Sequence, residues 1–139
     1  MARYFLDTHI VIWLLTNDPK LDDGLRFDIE YPSGNRYLTS QYVILELMHL
    51  KQLGKIQFVG SVSDLFSTLS SMNVEIDTVT TKVFEALENL PILTINKDRH
   101  SDMIDRVIIA TCIANKFTLI SHDSKFPSYR KYGLKLLEA

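Results

Sequence analysis

Four acidic side chains stand where acids are costly: Asp7, Glu46, Asp105 and Asp123. Asp7 separates Tyr4-Phe5-Leu6 from Ile10-Val11-Ile12-Trp13-Leu14-Leu15, two apolar runs that both belong in a core. An ionised group there needs hydrogen bonds, an ion pair or a bound cation. Glu46 lies among Val43, Ile44, Leu45, Leu47, Met48 and Leu50, with Tyr42 and His49 as its polar company about one helical turn away. Asp105 follows Asp102 at the head of another apolar run, and Asp123 follows Leu119-Ile120-Ser121-His122. Such a set can hold a hard divalent cation, because Mg²⁺ and Mn²⁺ prefer carboxylate and water oxygens. Without a cation, carboxylates gathered about 5 Å apart would repel by roughly 3 kcal/mol per pair at an effective dielectric near 20. Zinc fits poorly: there is no H-E-x-x-H, no cysteine pair, and the 4 His are scattered.

Taken singly, each acid has a simpler use. Asp7 can cap the helix that follows it, a role worth about 1 kcal/mol. Asp102 and Asp105 can be a cap and its capping-box partner. Asp123 can make a turn. Glu46 can form an internal hydrogen bond with a polar neighbour. What gathers the four acids into one site is the arrangement of the elements that carry them.

Those elements alternate. Short strands are expected at Tyr4-Phe5-Leu6, Tyr37-Leu38-Thr39, Val74-Glu75-Ile76 and over residues 117–120, with an edge strand in the tail 132–137. Helices are expected from Ile10, then along Leu21, Leu25 and Ile29, where the apolar spacing is four residues. A third runs from the N-cap Ser40 to about Leu53 and stops at Gly54. Ile56, Phe58 and Val59 lead into another over residues 62–72. Thr78 or Thr80 caps a further helix through Phe84 and Leu87, ended by Pro91. Asn96-Lys97-Asp98-Arg99-His100 reads as a polar loop before the helix 102–115, which is apolar nearly all round and so expected to be buried. The pattern predicts a three-layer α/β/α sandwich with a central, largely parallel sheet of four to five strands. Strands running parallel would deliver Asp7 and Asp123 to one rim. That rim, beyond the carboxyl ends at the topological switch point, is where open sheets of this kind bind ligands.

The 139 residues suit a single domain spanning 1–139. An apolar share of 46% with only 5 Gly and 4 Pro excludes a disordered or collagen-like chain. The lone Cys112 rules out an internal disulfide and suits a reducing compartment. A net charge of -2 advertises neither nucleic acid nor membrane, so a polyanion would need local cations or a bound metal. The apolar segment 4–15 is interrupted by Asp7 and His9 and is too short to span a bilayer. It also lacks a signal-peptide cleavage site. A cytoplasmic, membrane-free protein is expected.

The ordered set of motifs resembles the PIN-domain nucleases, particularly the VapC-type toxins of toxin–antitoxin pairs. The matching pieces are Phe5-Leu6-Asp7-Thr8-His9-Ile10-Val11-Ile12-Trp13-Leu14-Leu15, then Thr39-Ser40 with Glu46-Leu47. Next come His100-Ser101-Asp102-Met103-Ile104-Asp105-Arg106, running into Ile109-Ala110-Thr111, and Leu119-Ile120-Ser121-His122-Asp123 with Phe126. Met103 stands where such proteins often have Pro, and Ser121 where they often have Thr; neither departure removes an acid. His122 beside Asp123 is less usual.

The resemblance implies a PIN-like fold and a metal-dependent endoribonuclease that leaves a 5′-phosphate and a 3′-hydroxyl. It makes Asp7, Glu46, Asp105 and Asp123 the ligands of Mg²⁺ or Mn²⁺. Thr8, Ser40 and Ser121 become hydroxyls that orient carboxylates or waters, with Asp102 beside them or serving as a helix cap. RNA would meet cations at Arg99, His100, Arg106, Lys125, Arg130 and Lys131, with Phe126 and Tyr129 available to stack on bases. A cognate antitoxin and a homodimer are expected partners. Two other classes compete. One is a catalytically silent PIN-like interaction module. The other is an aspartyl phosphotransferase built on Asp7, disfavoured because His9 stands where such enzymes want a second Asp or Thr.

Overall fold

The computed structural model describes residues 1–58 and 60–139. Val59, which the sequence places in the lead to the fourth helix, lies outside the described residues.

The chain begins with β1 (Arg3–Leu6) and passes directly into α1 (Thr8–Thr16). Asp7 sits between them in an extended conformation, φ -64° and ψ 162°, as an N-cap must. Asn17 ends α1 in the left-handed region that Asn tolerates. Then come α2 (Asp23–Glu30), β2 (Arg36–Ser40) and α3 (Gln41–Gln52). Leu21 lies outside α2, in the loop before its cap Asp22, yet is buried in the core. The stop at Gly54 takes the expected form: φ is +73°, and the amides of Gly54 and Lys55 donate to the carbonyls of Lys51 and Leu50.

A capping box between Ser61 and Asp64 opens α4 (Val62–Ser71), which leads to β3 (Val74–Asp77). Of the two caps considered for α5 (Thr81–Asn89), Thr80 holds the position, without a side-chain hydrogen bond. The supposed loop 96–100 is instead largely a hairpin. β4 (Thr94–Ile95) pairs antiparallel with β5 (Asp98–Arg99) through Asn96 and Lys97, both at positive φ, as a tight two-residue turn requires. α6 (Met103–Asn115), β6 (Thr118–Ser121), a 3-10 helix (Phe126–Tyr132) and β7 (Lys135–Glu138) complete the chain.

Among the described residues the main sheet has five strands in the order β3-β2-β1-β6-β7, every pairing parallel. Successive strands step outward from β1 to β3, and the chain then returns through α6 to lay β6 on the other side of β1. The gap between β1 and β6 is therefore the switch point. Register places Phe5 beside both Leu38 and Leu119, and Leu6 beside Ile120. One core joins these strands to the helices through Phe5, Leu6, Ile10, Leu47, Ile108, Ile109, Leu119 and Ile120, all essentially inaccessible. The fold is the expected α/β sandwich, a parallel five-stranded sheet flanked by helices.

Candidate active site

The site forms at the switch point because β1 and β6 both end there. Asp7 leaves β1 with its amide still donating to the Ile120 carbonyl at 3.1 Å, so the two strand ends are stitched together. Its carboxylate Oδ1 accepts from the Thr8 amide at 2.8 Å, and Oδ2 accepts from the Ser121 hydroxyl at 2.7 Å. Asp7 is thus both a helix cap and one end of a bond between strands. It is only 4% exposed. Burial pushes its carboxyl up to about 6, against the two hydrogen bonds that favour the anion, and the neighbouring Asp105 charge raises it further.

Ser121 serves two acids at once. While its hydroxyl donates to Asp7, its oxygen accepts the Asp123 amide at 3.0 Å. Asp123 then makes a turn, taking the Lys125 amide on Oδ1 at 2.8 Å. Its Oδ2 meets the Lys125 ammonium at 3.1 Å. The turn expected at Asp123 is therefore formed, with its carboxylate held by Lys125.

Asp102 is the N-cap of α6, its Oδ1 accepting the Asp105 amide at 2.9 Å. Asp105 does not complete a capping box. Its carboxylate turns to His100, whose Nε2 lies 3.0 Å from Oδ2. The His100 Nδ1 lies 2.6 Å from the Tyr129 hydroxyl, and the ring packs near Phe126. If Nε2–H donates to Asp105, Nδ1 is free to accept from Tyr129. Burial raises the Asp105 carboxyl, the His100 contact opposes that rise, and the charges of Asp102 and Asp123 add to it.

Glu46 hangs from α3, half-buried, with its carboxyl raised first by burial and then by the charges of Asp105 and Asp102. The Thr8 hydroxyl faces Glu46 and counters the rise, yet no partner meets it at hydrogen-bonding geometry. Thr8 Oγ1 is buried and unsatisfied. Ser40 is buried at the N-cap position of α3 without a cap bond from its side chain. Asp105 is thus the hub: it perturbs Asp7 and Glu46, and is itself perturbed by Asp123.

Several expectations about RNA contacts are corrected. His100 is 4% exposed, because its hairpin folds it beneath α6, so it cannot meet RNA from the surface. Phe126 and Tyr129 are fully buried under the same ring and cannot stack on bases. Arg106 donates to the carbonyls of Leu90 at 2.8 Å and Pro91 at 3.0 Å, tying down the end of α5. Arg130 pairs with Glu138 at 3.2 Å and also reaches the Leu136 carbonyl. Arg99 and Lys131 are exposed, and Lys125 is half-exposed beside Asp123. The support that His100 and Tyr129 give Asp105 was missed in the sequence. Its only signal there was a histidine five residues before the acid.

The donors fit a hard cation in chemistry: all are oxygens, Asp7 is buried, the Asp105 and Asp123 side chains are mostly so, and an orphaned hydroxyl lies beside them. Among the described residues no three His, Cys, Asp or Glu side chains already enclose an ion. Asp7, Asp105 and Asp123 each meet one side-chain partner, Ser121, His100 and Lys125, and each carboxylate keeps lone pairs for an ion.

The architecture is that of an α/β sandwich with an acidic site at the switch point of a parallel sheet. The PIN domain family model matches residues 4–132, and the chain belongs to that family. PIN-domain nucleases are generally hydrolytic and generally use divalent metal ions. No curated protein sequence matches. Among solved structures, VapBC2 from Rickettsia felis bound to a promoter DNA fragment is similar at a TM-score of 0.69 and 20% identity, covering 98% of each chain. VapBC-1 from nontypeable Haemophilus influenzae is similar at 0.68 and 20%, covering 98% of this chain and 97% of its own. DNA-bound VapBC from Salmonella typhimurium is similar at 0.66 and 14%, covering 99% and 98%. At these identities the likeness is one of fold. Among the described residues no helix is long and apolar enough to cross a membrane.

Proposed function

We propose that this protein is a metal-dependent endoribonuclease and the toxin of a toxin–antitoxin pair. One observation carries the reading. Asp7, Glu46 and Asp105 come from three separate parts of the chain, and each is raised by burial and by its neighbours at one switch point. An acid cluster kept at that cost has a use for positive charge.

Asp7, Glu46, Asp105 and Asp123 would hold Mg²⁺ or Mn²⁺. When bound, such an ion lowers the pKa of a water and neutralises charge developing on a scissile phosphate. The chain's own residues do the positioning. Ser121 holds Asp7 and fixes the Asp123 backbone, and His100 holds Asp105. Thr8 Oγ1, buried and unsatisfied beside Glu46, is placed to orient a carboxylate or a water. Lys125 sets an ammonium at the mouth of the site, where a phosphodiester would arrive, and Arg99 and Lys131 offer further exposed cations. The toxin assignment is supported by the fold shared with chains of three VapBC complexes, which also supports an antitoxin partner. A homodimer is part of the same reading.

The test is cleavage of structured RNA with Mg²⁺ or Mn²⁺ by the wild type, Asp7→Asn and Asp105→Asn. Cleavage by the wild type alone is expected. Undiminished cleavage by both variants overturns the assignment. No wild-type cleavage together with no Mn²⁺ binding leaves a silent interaction module in its place.

A further inference from the structure

Beside the acids lies a cleft of about 430 Å³, lined on one side by three aromatic rings. The rings are those of His9, Trp13 and His122, and Asp7, Asp123, Ser124 and Lys125 complete the lining. His9 and Trp13 are one helical turn apart on α1, so their rings share a face. His122 comes from the other strand end, immediately after β6. The two imidazoles flank a single indole, His9 at 6.4 Å between ring centroids and His122 at 5.4 Å. Both rings meet Trp13 at steep angles, 64° and 63°. Trp13 is nearly buried and forms the floor, while both histidines are exposed. The His122 ring is held in place through Nδ1, which contacts the Ala139 carbonyl.

Neither imidazole holds any of the carboxylates by a hydrogen bond, so the positioning of the acids leaves the cleft unexplained. Its chemistry is specific. Flat, polarisable walls beside fixed negative charge favour a planar ring that is itself neutral, and disfavour a free anion. An unpaired nucleobase is such a ring, and histidine is among the side chains on which unstacked bases stack. Its own phosphate would fall toward Lys125 and the acids. The volume lies within the range of small-ligand clefts.

We infer that His9, Trp13 and His122 form a subsite for the base of one unpaired ribonucleotide, next to the phosphate at the acidic site. The inference rests on the nuclease reading and adds how the substrate is chosen. A base locked in a duplex cannot enter, so the subsite selects single-stranded or looped RNA. His9 and His122 determine specificity and do not act on the reacting atoms.

Trp13 is the only tryptophan, so its fluorescence reports this cleft alone. The full chain, with Ca²⁺ present, is titrated with AMP, CMP, GMP and UMP, and with ribose 5-phosphate as the base-free control. At least one nucleotide is expected to change Trp13 emission saturably while ribose 5-phosphate does not. His9→Ala and His122→Ala should each weaken that nucleotide roughly 5- to 100-fold, the range for removing a ring on which a base stacks. His122→Phe, which keeps a flat ring, should restore most of the binding. On a single-stranded RNA the two alanine variants should raise KM and leave kcat within about 3-fold, with Mn²⁺ binding unchanged. Equal responses to nucleotides and ribose 5-phosphate, or alanine variants that bind as the wild type does, overturn the subsite and leave the nuclease reading standing. A histidine-dependent nucleotide response in a protein that cleaves no RNA overturns the nuclease reading and keeps the cleft.

Discussion

At Asp7 the demands of folding and of chemistry pull in opposite directions. Burial pushes its carboxyl from 3.8 up to about 6, so the folded chain keeps a proton that the unfolded chain releases. The Asp7 contribution to the stability of the metal-free protein is therefore fullest below about pH 4 and is lost as the pH rises through about 6. Glu46 and Asp105 shift in the same direction and steepen the slope. From Asp7 alone the loss at pH 7 is on the order of 3 kcal/mol. The Asn oxygen can still accept from the Thr8 amide while its Nδ2 donates to the Ser121 oxygen, so Asp7→Asn should stabilise the metal-free protein at pH 7 by up to about that amount. Urea unfolding in EDTA at pH 5 and pH 7 checks this. The wild type should lose stability across the interval, and the variant should lose less. His100 is the complementary case. Its removal leaves the Tyr129 hydroxyl without the contact at 2.6 Å and frees Asp105 to turn. His100→Ala should cost about 1–3 kcal/mol of stability and weaken Mn²⁺ binding roughly 10- to 100-fold. Tyr129→Phe, which keeps the ring and loses only the hydroxyl, should do less on both counts. Calorimetric Mn²⁺ titration of the two variants separates a loss of positioning from a general loss of packing.

Among the elements, α6 shows how a helix start serves both fold and site. Asp102 caps it, and the same bond fixes the amide of Asp105, whose side chain is the hub of the acids. Met103 occupies the first helical position and is 82% exposed, so its side chain contributes little packing. Asp102 is already extended, φ -59° and ψ 121°, as a residue before proline must be. Met103→Pro should therefore raise stability by about 0.4–1 kcal/mol without disturbing the acids. Asp102→Ala should lower it by about 1 kcal/mol. A thermal melt of each decides whether the cap and the first turn are arranged as described. The same region marks what the sequence could and could not disclose. Strands alternating with helices were enough to predict the sandwich; acids standing in or beside apolar runs made Asp7, Glu46, Asp102, Asp105 and Asp123 candidates, and only the family resemblance chose Asp105 over Asp102. The hairpin of β4 and β5 was hidden because Asn96 and Lys97 take positive φ without a glycine to announce the turn. His100 and Tyr129 looked like surface residues because their burial depends on a hairpin and a 3-10 helix packing together across 29 positions of chain. No local period records that contact.

For the molecule as a whole, the acids come from segments far apart in the chain. Asp7 follows β1, Glu46 rides on α3, Asp105 opens α6 and Asp123 follows β6, so an ion at the switch point would bind four separate stretches of chain at once. Unfolding would scatter these ligands, and binding free energy would become folding free energy. At a free Mn²⁺ concentration about 100 times its Kd, the gain is about 2.7 kcal/mol. For a domain of this size that raises Tm by roughly 10 °C. The raised carboxyls give the effect a pH signature. Protons compete for Asp7 near its value of about 6, so the Mn²⁺-induced shift should be large at pH 7.5 and much smaller at pH 5. Ionic strength must be matched with NaCl, because simple screening also relieves repulsion among like charges. A scanning melt in Mn²⁺ against NaCl at both pH values gives the comparison. A shift in Mn²⁺ that exceeds that in NaCl at pH 7.5, and fades at pH 5, is the expected result. Equal shifts in the two salts at pH 7.5 would reduce the acid cluster to ordinary electrostatic repulsion, and Asp105 to a helix-terminal residue held by His100.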